Sequence, residues 1–136
     1  MTKFLKNVLI TGAGKGIGEV TVKLFLSKGY FVYALIKDKK DNFKFKNYKN
    51  ISIFNGDVKD IKLIKKIISK SNNNNKVITG LVNNAGIRHR KKFLDIKKDD
   101  LENVFQTNFF SIFQLMQLFS KNLIKKKLSG SIVNIS

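Results

Sequence analysis

The chain has 136 residues, enough for one domain with a sizeable core. It holds no cysteine and one histidine, His89, which excludes disulfides, thiolate metal centres and multi-histidine metal sites. The net charge of +18 comes almost wholly from lysine, with arginine only at Arg88 and Arg90, so the arginine cluster of a sequence-reading nucleic-acid surface is missing.

Asn7 to Thr11 reads as a first strand, apolar throughout and so buried on both faces. Gly16 to Lys28 reads as a helix with an apolar stripe at Ile17, Val20, Val22, Leu24, Phe25 and Leu26, closed by Gly29. Tyr30 to Ile36 is a second strand. Lys37 to Asn50 is a polar loop with room for one helical turn. Ile51 to Asn55 is a third strand, and Val58 to Ser69 a helix with isoleucines and leucine at helical spacing. Ser71 to Asn75 is an asparagine turn, Val77 to Val82 a fourth strand and Ile87 to Ile96 a basic loop. A long helix follows over 98–127, with Asp99, Asp100 and Glu102 at its positive end, then a fifth strand, Ile132 to Ile135. Alternating strands and helices predict one α/β domain, a doubly wound parallel sheet in the order 3-2-1-4-5, Rossmann-like and lacking its last strand. No linker or internal repeat divides it. No apolar run can span a bilayer, and the N-terminus shows no signal segment, so the expected location is cytoplasmic, with no membrane partner.

The first strand runs into Thr11-Gly12-Ala13-Gly14-Lys15-Gly16-Ile17-Gly18, and a helix begins there. Strand, glycine-rich turn and helix N-terminus together can cradle a phosphate, because the helix start presents unpaired N–H groups at the positive end of its dipole. Gly12 allows the tight turn, and Gly16 and Gly18 allow close backbone approach. The common Gly-x-Gly-x-x-Gly fingerprint fails, since Ile17 stands where it needs glycine. The pattern Thr-Gly-x-x-x-Gly-Ile-Gly resembles instead the cofactor turn of the short-chain dehydrogenase/reductase family. A second block, Leu81-Val82-Asn83-Asn84-Ala85-Gly86, resembles the family's Asn-Asn-Ala-Gly at the end of strand four. At a switch point between strands one and four, both blocks would face one crevice.

That resemblance implies a nicotinamide cofactor held by Gly12, Lys15, Gly16, Ile17, Gly18, Lys37, Asp57, Val58, Asn83, Ala85 and Gly86. Asp57-Val58 matches the family's adenine-contacting pair, and Asp57 reads equally as a helix N-cap. An acid at the end of strand two would bond a ribose 2′-OH, whereas a cation would meet a 2′-phosphate. The family's acidic position falls on Ile36, with Lys37 next and Lys15 at the second basic position, which implies NADP over NAD; Asp38, one or two residues late, argues the other way. Asn108 falls on the family's active-site asparagine, which holds a water in a proton relay. His89 has no base or orienter near it in sequence and receives no catalytic role.

The family reduces carbonyls with a serine, a tyrosine and a lysine. By register Ser136 is the first serine of the strand-five motif and the catalytic one would come next, so the expectation is a cofactor-binding part truncated before the catalytic Ser and Tyr-x-x-x-Lys. The implied parent reaction is hydride transfer between NADP(H) and a small carbonyl or alcohol, as in a 3-oxoacyl-carrier-protein reductase or a sugar or polyol dehydrogenase. Phe105, Phe109, Ile112, Phe113, Leu115, Met116 and Phe119 are too many apolar residues for one buried stripe, which implies a homo-oligomer through the long helix. Two rival readings stand: a non-catalytic nucleotide-binding or partner-pairing module, and a basic nucleic-acid binder, for which clustered arginine and exposed aromatics are lacking.

Overall fold

A strand with an apolar centre, Val8, Leu9 and Ile10, must be covered on both faces, and Asn7–Thr11 is buried at all five positions, its polar ends Asn7 and Thr11 included. The structure, a computed structural model, describes residues 6–136. The expectation about the N-terminus rests in part on residues 1–5, which lie outside the described residues. Five parallel strands make one sheet: β1 Asn7–Thr11, β2 Phe31–Ile36, β3 Ile51–Asn55, β4 Gly80–Asn83 and β5 Ser131–Asn134. Their order is β3-β2-β1-β4-β5, as expected, and Ile10 pairs with Ala34 on one side and Val82 on the other. Four helices connect them: α1 Gly16–Ser27, α2 Ile61–Asn73, α3 Lys98–Phe105 and α4 Ser111–Lys126. One face of the sheet packs Leu9, Tyr33 and Leu81 against Ile64 and Ile67 of α2 and Leu115, Phe119 and Leu123 of α4. The other packs Val8, Ile10, Val32, Ala34 and Val82 against Val22 of α1 and Phe45. Among the described residues no helix is long and apolar enough to cross a membrane.

Several boundaries differ from the sequence reading. In α1 only Val22 of the apolar stripe is fully buried, while Ile17, Val20 and Leu24 stand exposed on one line. The polar loop after β2 holds a seven-residue 3-10 helix, Lys39–Phe45, started by the Asp38 carboxylate accepting from the Lys40 N–H. α2 begins at Ile61 rather than Val58, because Asp60 and not Asp57 caps it, accepting from the Leu63 N–H at 3.1 Å. It runs on through Ser71 and into the asparagines, so the predicted turn shrinks to Asn74 and Asn75, the latter at φ +54. β4 starts later than predicted, at Gly80.

The long helix is interrupted. Between α3 and α4, residues Gln106–Phe110 form a π-helical turn, and the Ser111 hydroxyl donates back to the Thr107 carbonyl within it. The wider turn rephases the helix. Leu115, Phe119 and Leu123 then fall on the sheet side, leaving Phe105, Phe109 and Phe113 about half exposed. Lys127 ends α4 in the left-handed conformation, at φ +55.

Candidate functional site

The glycine-rich turn is built by the strands beside it. The Ala13 N–H donates to the Leu35 carbonyl at 3.1 Å, which fixes the turn against β2. The Thr11 hydroxyl accepts from the N–H groups of Asn84 (3.1 Å) and Ala85 (3.0 Å). The Asn84 amide donates in return to the carbonyls of Thr11 and Gly12, both at 3.1 Å. The two sequence blocks are thus joined at the switch point by four hydrogen bonds. Neither Thr11 nor Asn84 was among the expected site residues, although a threonine closing a strand before glycine and the second asparagine of a pair were both visible.

Gly12 sits at φ +62, and a Cβ there would come within 2.9 Å of the Ala85 Cα. A Cβ on Gly18 would fall on the Gly12 carbonyl. Gly16 differs: at φ +52 it needs glycine for its backbone, yet a Cβ there would meet nothing within 4 Å. The N-cap of α1 is Lys15, which has no acceptor and makes no side-chain cap. At the start of α1, Gly16 and Ile17 are exposed, whereas Gly18 is buried against the Gly12 carbonyl.

Two hollows flank this turn. One, of about 600 Å³, is lined by Gly12, Gly14, Lys15, Lys37, Asp38, Lys39 and Asp41. The other, of about 130 Å³, brings together Gly12, Lys37, Asp57, Val58, Ala85, Gly86 and Thr107. They share Gly12 and Lys37 and so form adjacent parts of a crevice beside the turn; of the expected site residues, Gly12, Lys15, Lys37, Asp57, Val58, Ala85 and Gly86 line it, and Gly16, Ile17 and Gly18 do not. A third hollow of about 750 Å³ lies elsewhere, against the uncovered face of β4 and β5 beside Phe25 and Tyr30.

Charge in the crevice is paired. The Lys37 ammonium lies 3.1 Å from the Asp57 carboxylate, and the Lys15 ammonium 3.7 Å from Asp41. Burial works against the charge of Asp57, but the Lys59 N–H and the Lys37 ammonium outweigh it and hold its carboxyl below the usual range. The Lys40 side chain and N–H likewise hold Asp38 low. Asp57 accepts from the Lys59 N–H at 2.9 Å, so it shapes the loop after β3 without capping α2. Ile36 is fully buried beneath the turn, its side chain 3.0 Å from where a Cβ of Gly14 would stand. An acid there would be buried too.

The remaining expected residues divide. Asn83 turns from the glycine-rich turn to β5, donating to the Asn134 amide oxygen at 2.8 Å; its own buried oxygen has no partner among the described residues. Asn108 lies in the π-helical turn, and its amide clasps one backbone residue both ways: it donates to the Ile87 carbonyl and accepts from the Ile87 N–H, each at 2.8 Å. That clasp holds the chain leaving Gly86 against the helix. His89 is exposed in the basic loop. The spacing Tyr-x-x-x-Lys does occur, at Tyr33 and Lys37, but on a strand, where four residues span about 13 Å. Tyr33 is fully buried with its hydroxyl on the Lys76 carbonyl, and burial raises its pKa, so the pair cannot act as a proton-transfer couple. Among the described residues no group of acids and histidines is placed to hold a metal.

A doubly wound parallel sheet with a glycine-rich turn at its switch point defines a dinucleotide-binding architecture. The chain belongs to the short chain dehydrogenase family, which it matches over residues 6–136. It is 32% identical over 129 residues to carbonyl reductase [NADPH] 2 of Sus scrofa, covering 94% of this chain and 51% of that protein. It superimposes on ElxO with NADP bound at a TM-score of 0.86, with 33% identity, covering 98% of this chain and 56% of that one. On 4-hydroxyisoleucine dehydrogenase complexed with NADH the TM-score is 0.83, with 27% identity over 96% of this chain and 55% of that one. The chain spans about half the length of the curated relatives it matches.

Proposed function

We propose that this chain is the NADP(H)-binding part of a short-chain dehydrogenase/reductase whose reaction is hydride transfer between a nicotinamide cofactor and a small carbonyl or alcohol substrate. The observation that carries the reading is the crevice itself: Gly12, Gly14 and Lys15, leading into the N-terminus of α1, and Ala85 and Gly86, just after β4, line it together with Lys37 and Asp57. The cofactor, when bound, supplies or accepts the hydride. The chain's own residues bind and orient. The N–H groups of Gly16, Ile17 and Gly18 take the pyrophosphate. Asp57 and Val58 border the adenine, and Ala85 and Gly86 line the path beside them. Asn83 braces β4 against β5, and Asn108 keeps the Gly86–Ile87 backbone in place beside the reacting end. Polarising the carbonyl and moving the proton fall to the family's serine, tyrosine and lysine, which the 136 residues do not include in the family's register. The likeness to the pig carbonyl reductase [NADPH] 2 and to the NADP-bound ElxO structure supports the cofactor choice.

One observation favours NAD(H) instead: both lysines are already paired with acids, and Asp38 lines the crevice. Titration of the chain with NADPH and NADH separates the two. NADPH should bind tighter, and Lys37→Ala should cost it about tenfold, or 1.4 kcal/mol, in the range of a charge-assisted contact. Tighter NADH binding, or a preference untouched by Lys37→Ala, refutes the NADP(H) assignment.

A further inference from the structure

Lys44 lies in the 3-10 helix behind the glycine-rich turn and does not line the crevice. Its ammonium nevertheless serves three partners. It donates to the Gly14 carbonyl at 2.7 Å and lies 3.1 Å from Glu19 of α1 and 3.2 Å from one oxygen of Asp41. The other Asp41 oxygen faces Lys15, at 3.7 Å. The Asp41 side chain is 8% exposed and that of Lys15 65%. One nearly buried carboxylate thus stands between a cation behind the turn and a cation on the crevice side.

A buried carboxylate needs a cation or strong donors to stay charged. With Lys44 in place, Asp41 is compensated from behind, and Lys15, solvated and at a longer distance, is free to turn to another anion. Without Lys44, Lys15 is the remaining ion-pair partner of Asp41 among the described residues, with Lys40 acting on it only from farther away, and a phosphate entering the crevice would compete with Asp41 for Lys15. The pKa of Lys44 is raised by Glu19 first and also by Asp41, which agrees with a firmly held charge.

We propose that Lys44 is a positioning residue that sets cofactor preference from behind the turn, by neutralising Asp41 so that Lys15 remains available to a phosphate on the cofactor's adenosine ribose. This rests on the dinucleotide reading above. Because Lys44 also pins the Gly14 carbonyl, its loss disturbs the turn for any dinucleotide. The informative quantity is therefore the ratio of NADPH to NADH affinity, which a purely structural role leaves unchanged.

The experiment measures dissociation constants for both cofactors on the chain and on Lys44→Met, Lys44→Arg, Asp41→Asn and Lys44→Met/Asp41→Asn, with a thermal melt of each variant. Lys44→Met should cut the NADPH preference roughly fivefold, the upper end for a partly exposed ion pair. Lys44→Arg should restore it. In the Asp41→Asn background Lys44→Met should no longer change the ratio, since the charge it offsets is gone. Equal weakening of both cofactors by Lys44→Met, or a shift in the ratio that persists in the Asp41→Asn background, overturns the proposal. If the unaltered chain binds neither cofactor or prefers NADH, the functional reading fails first and this one with it. A normal NADPH preference that Lys44→Met leaves intact rejects the role of Lys44 alone.

Discussion

Asn84 offers the sharpest test of how the crevice is assembled. Its amide donates to two carbonyls, Thr11 and Gly12, that no other side chain reaches from β4. Asn84→Ala removes both donors, and with about 1 kcal/mol net per hydrogen bond the loss should be about 2–3 kcal/mol. For a chain of this size that lowers the melting temperature by roughly 10 °C. Asn84→Asp keeps the shape but sets one carboxylate oxygen about 3.1 Å from two carbonyl oxygens. It should cost a further 1–2 kcal/mol or so at neutral pH. The new Asp would have its folded pKa raised, because its charged form has no donors there. Its extra penalty is therefore full above that pKa and is relieved as pH falls through it, when the protonated acid regains one donor. Urea unfolding of the two variants at pH 7 and pH 5 provides the assay. An Asn84→Asp variant as stable as Asn84→Ala at pH 7, or an Asn84→Ala variant within about 0.5 kcal/mol of the parent chain, would refute the account of this junction.

The carboxyls of Glu19, Asp38, Asp57 and Asp100 are all held below their ordinary values, so each contributes stability above its unfolded pKa that is lost as pH falls through the folded one. The melting temperature should hold from neutrality to about pH 5 and drop below it, and a flat profile down to pH 3 or so would contradict the ion pairs described. The half-exposed Phe105, Phe109 and Phe113 should drive self-association through the α3–α4 face; sedimentation should show a dimer or larger species that Phe109→Asp dissociates, and a monodisperse monomer of the parent chain counts against it.

The sheet was legible because its signals are local. Short apolar runs, Val8 to Ile10 and Leu81-Val82, mark β1 and β4, and the glycine spacing marks the turn between β1 and α1. The helix starts were harder, since Asp57 and Asp60 are both N-cap types and only the reach to the Leu63 N–H separates them. The asparagine pair shows the limit of motif reading. Successive residues at a strand end point apart, so Asn84 reaches the glycine-rich turn while Asn83 reaches β5. The sequence motif names both residues but not their directions. The π-helical turn was not predicted, and it holds Asn108, whose amide pairs with Ile87, 21 residues earlier in the chain. Lys44 was not predicted either: its three partners lie on the turn, on α1 and within its own 3-10 helix.

Composition misleads most about the crevice. The chain has 27 basic residues and nine acidic ones. If those few acids were spread evenly, the lysines of the site would be unpaired and any anion would bind well. Instead Glu19, Asp38, Asp41 and Asp57 gather around the glycine-rich turn and the end of β2. Glu19 meets Lys23 and Lys44, Asp38 meets Lys40, Asp41 meets Lys15 and Lys44, and Asp57 meets Lys37. A phosphate entering here exchanges one anionic partner for another, so much of the Coulomb gain expected from the net charge is offset by the pair it opens. On the proposed reading, what remains to favour it is the positive end of α1, whose N-cap Lys15 makes no side-chain cap. On the reading proposed above, discrimination between cofactors rests on which carboxylates release their lysines, a property of a few side chains rather than of the charge of the whole chain.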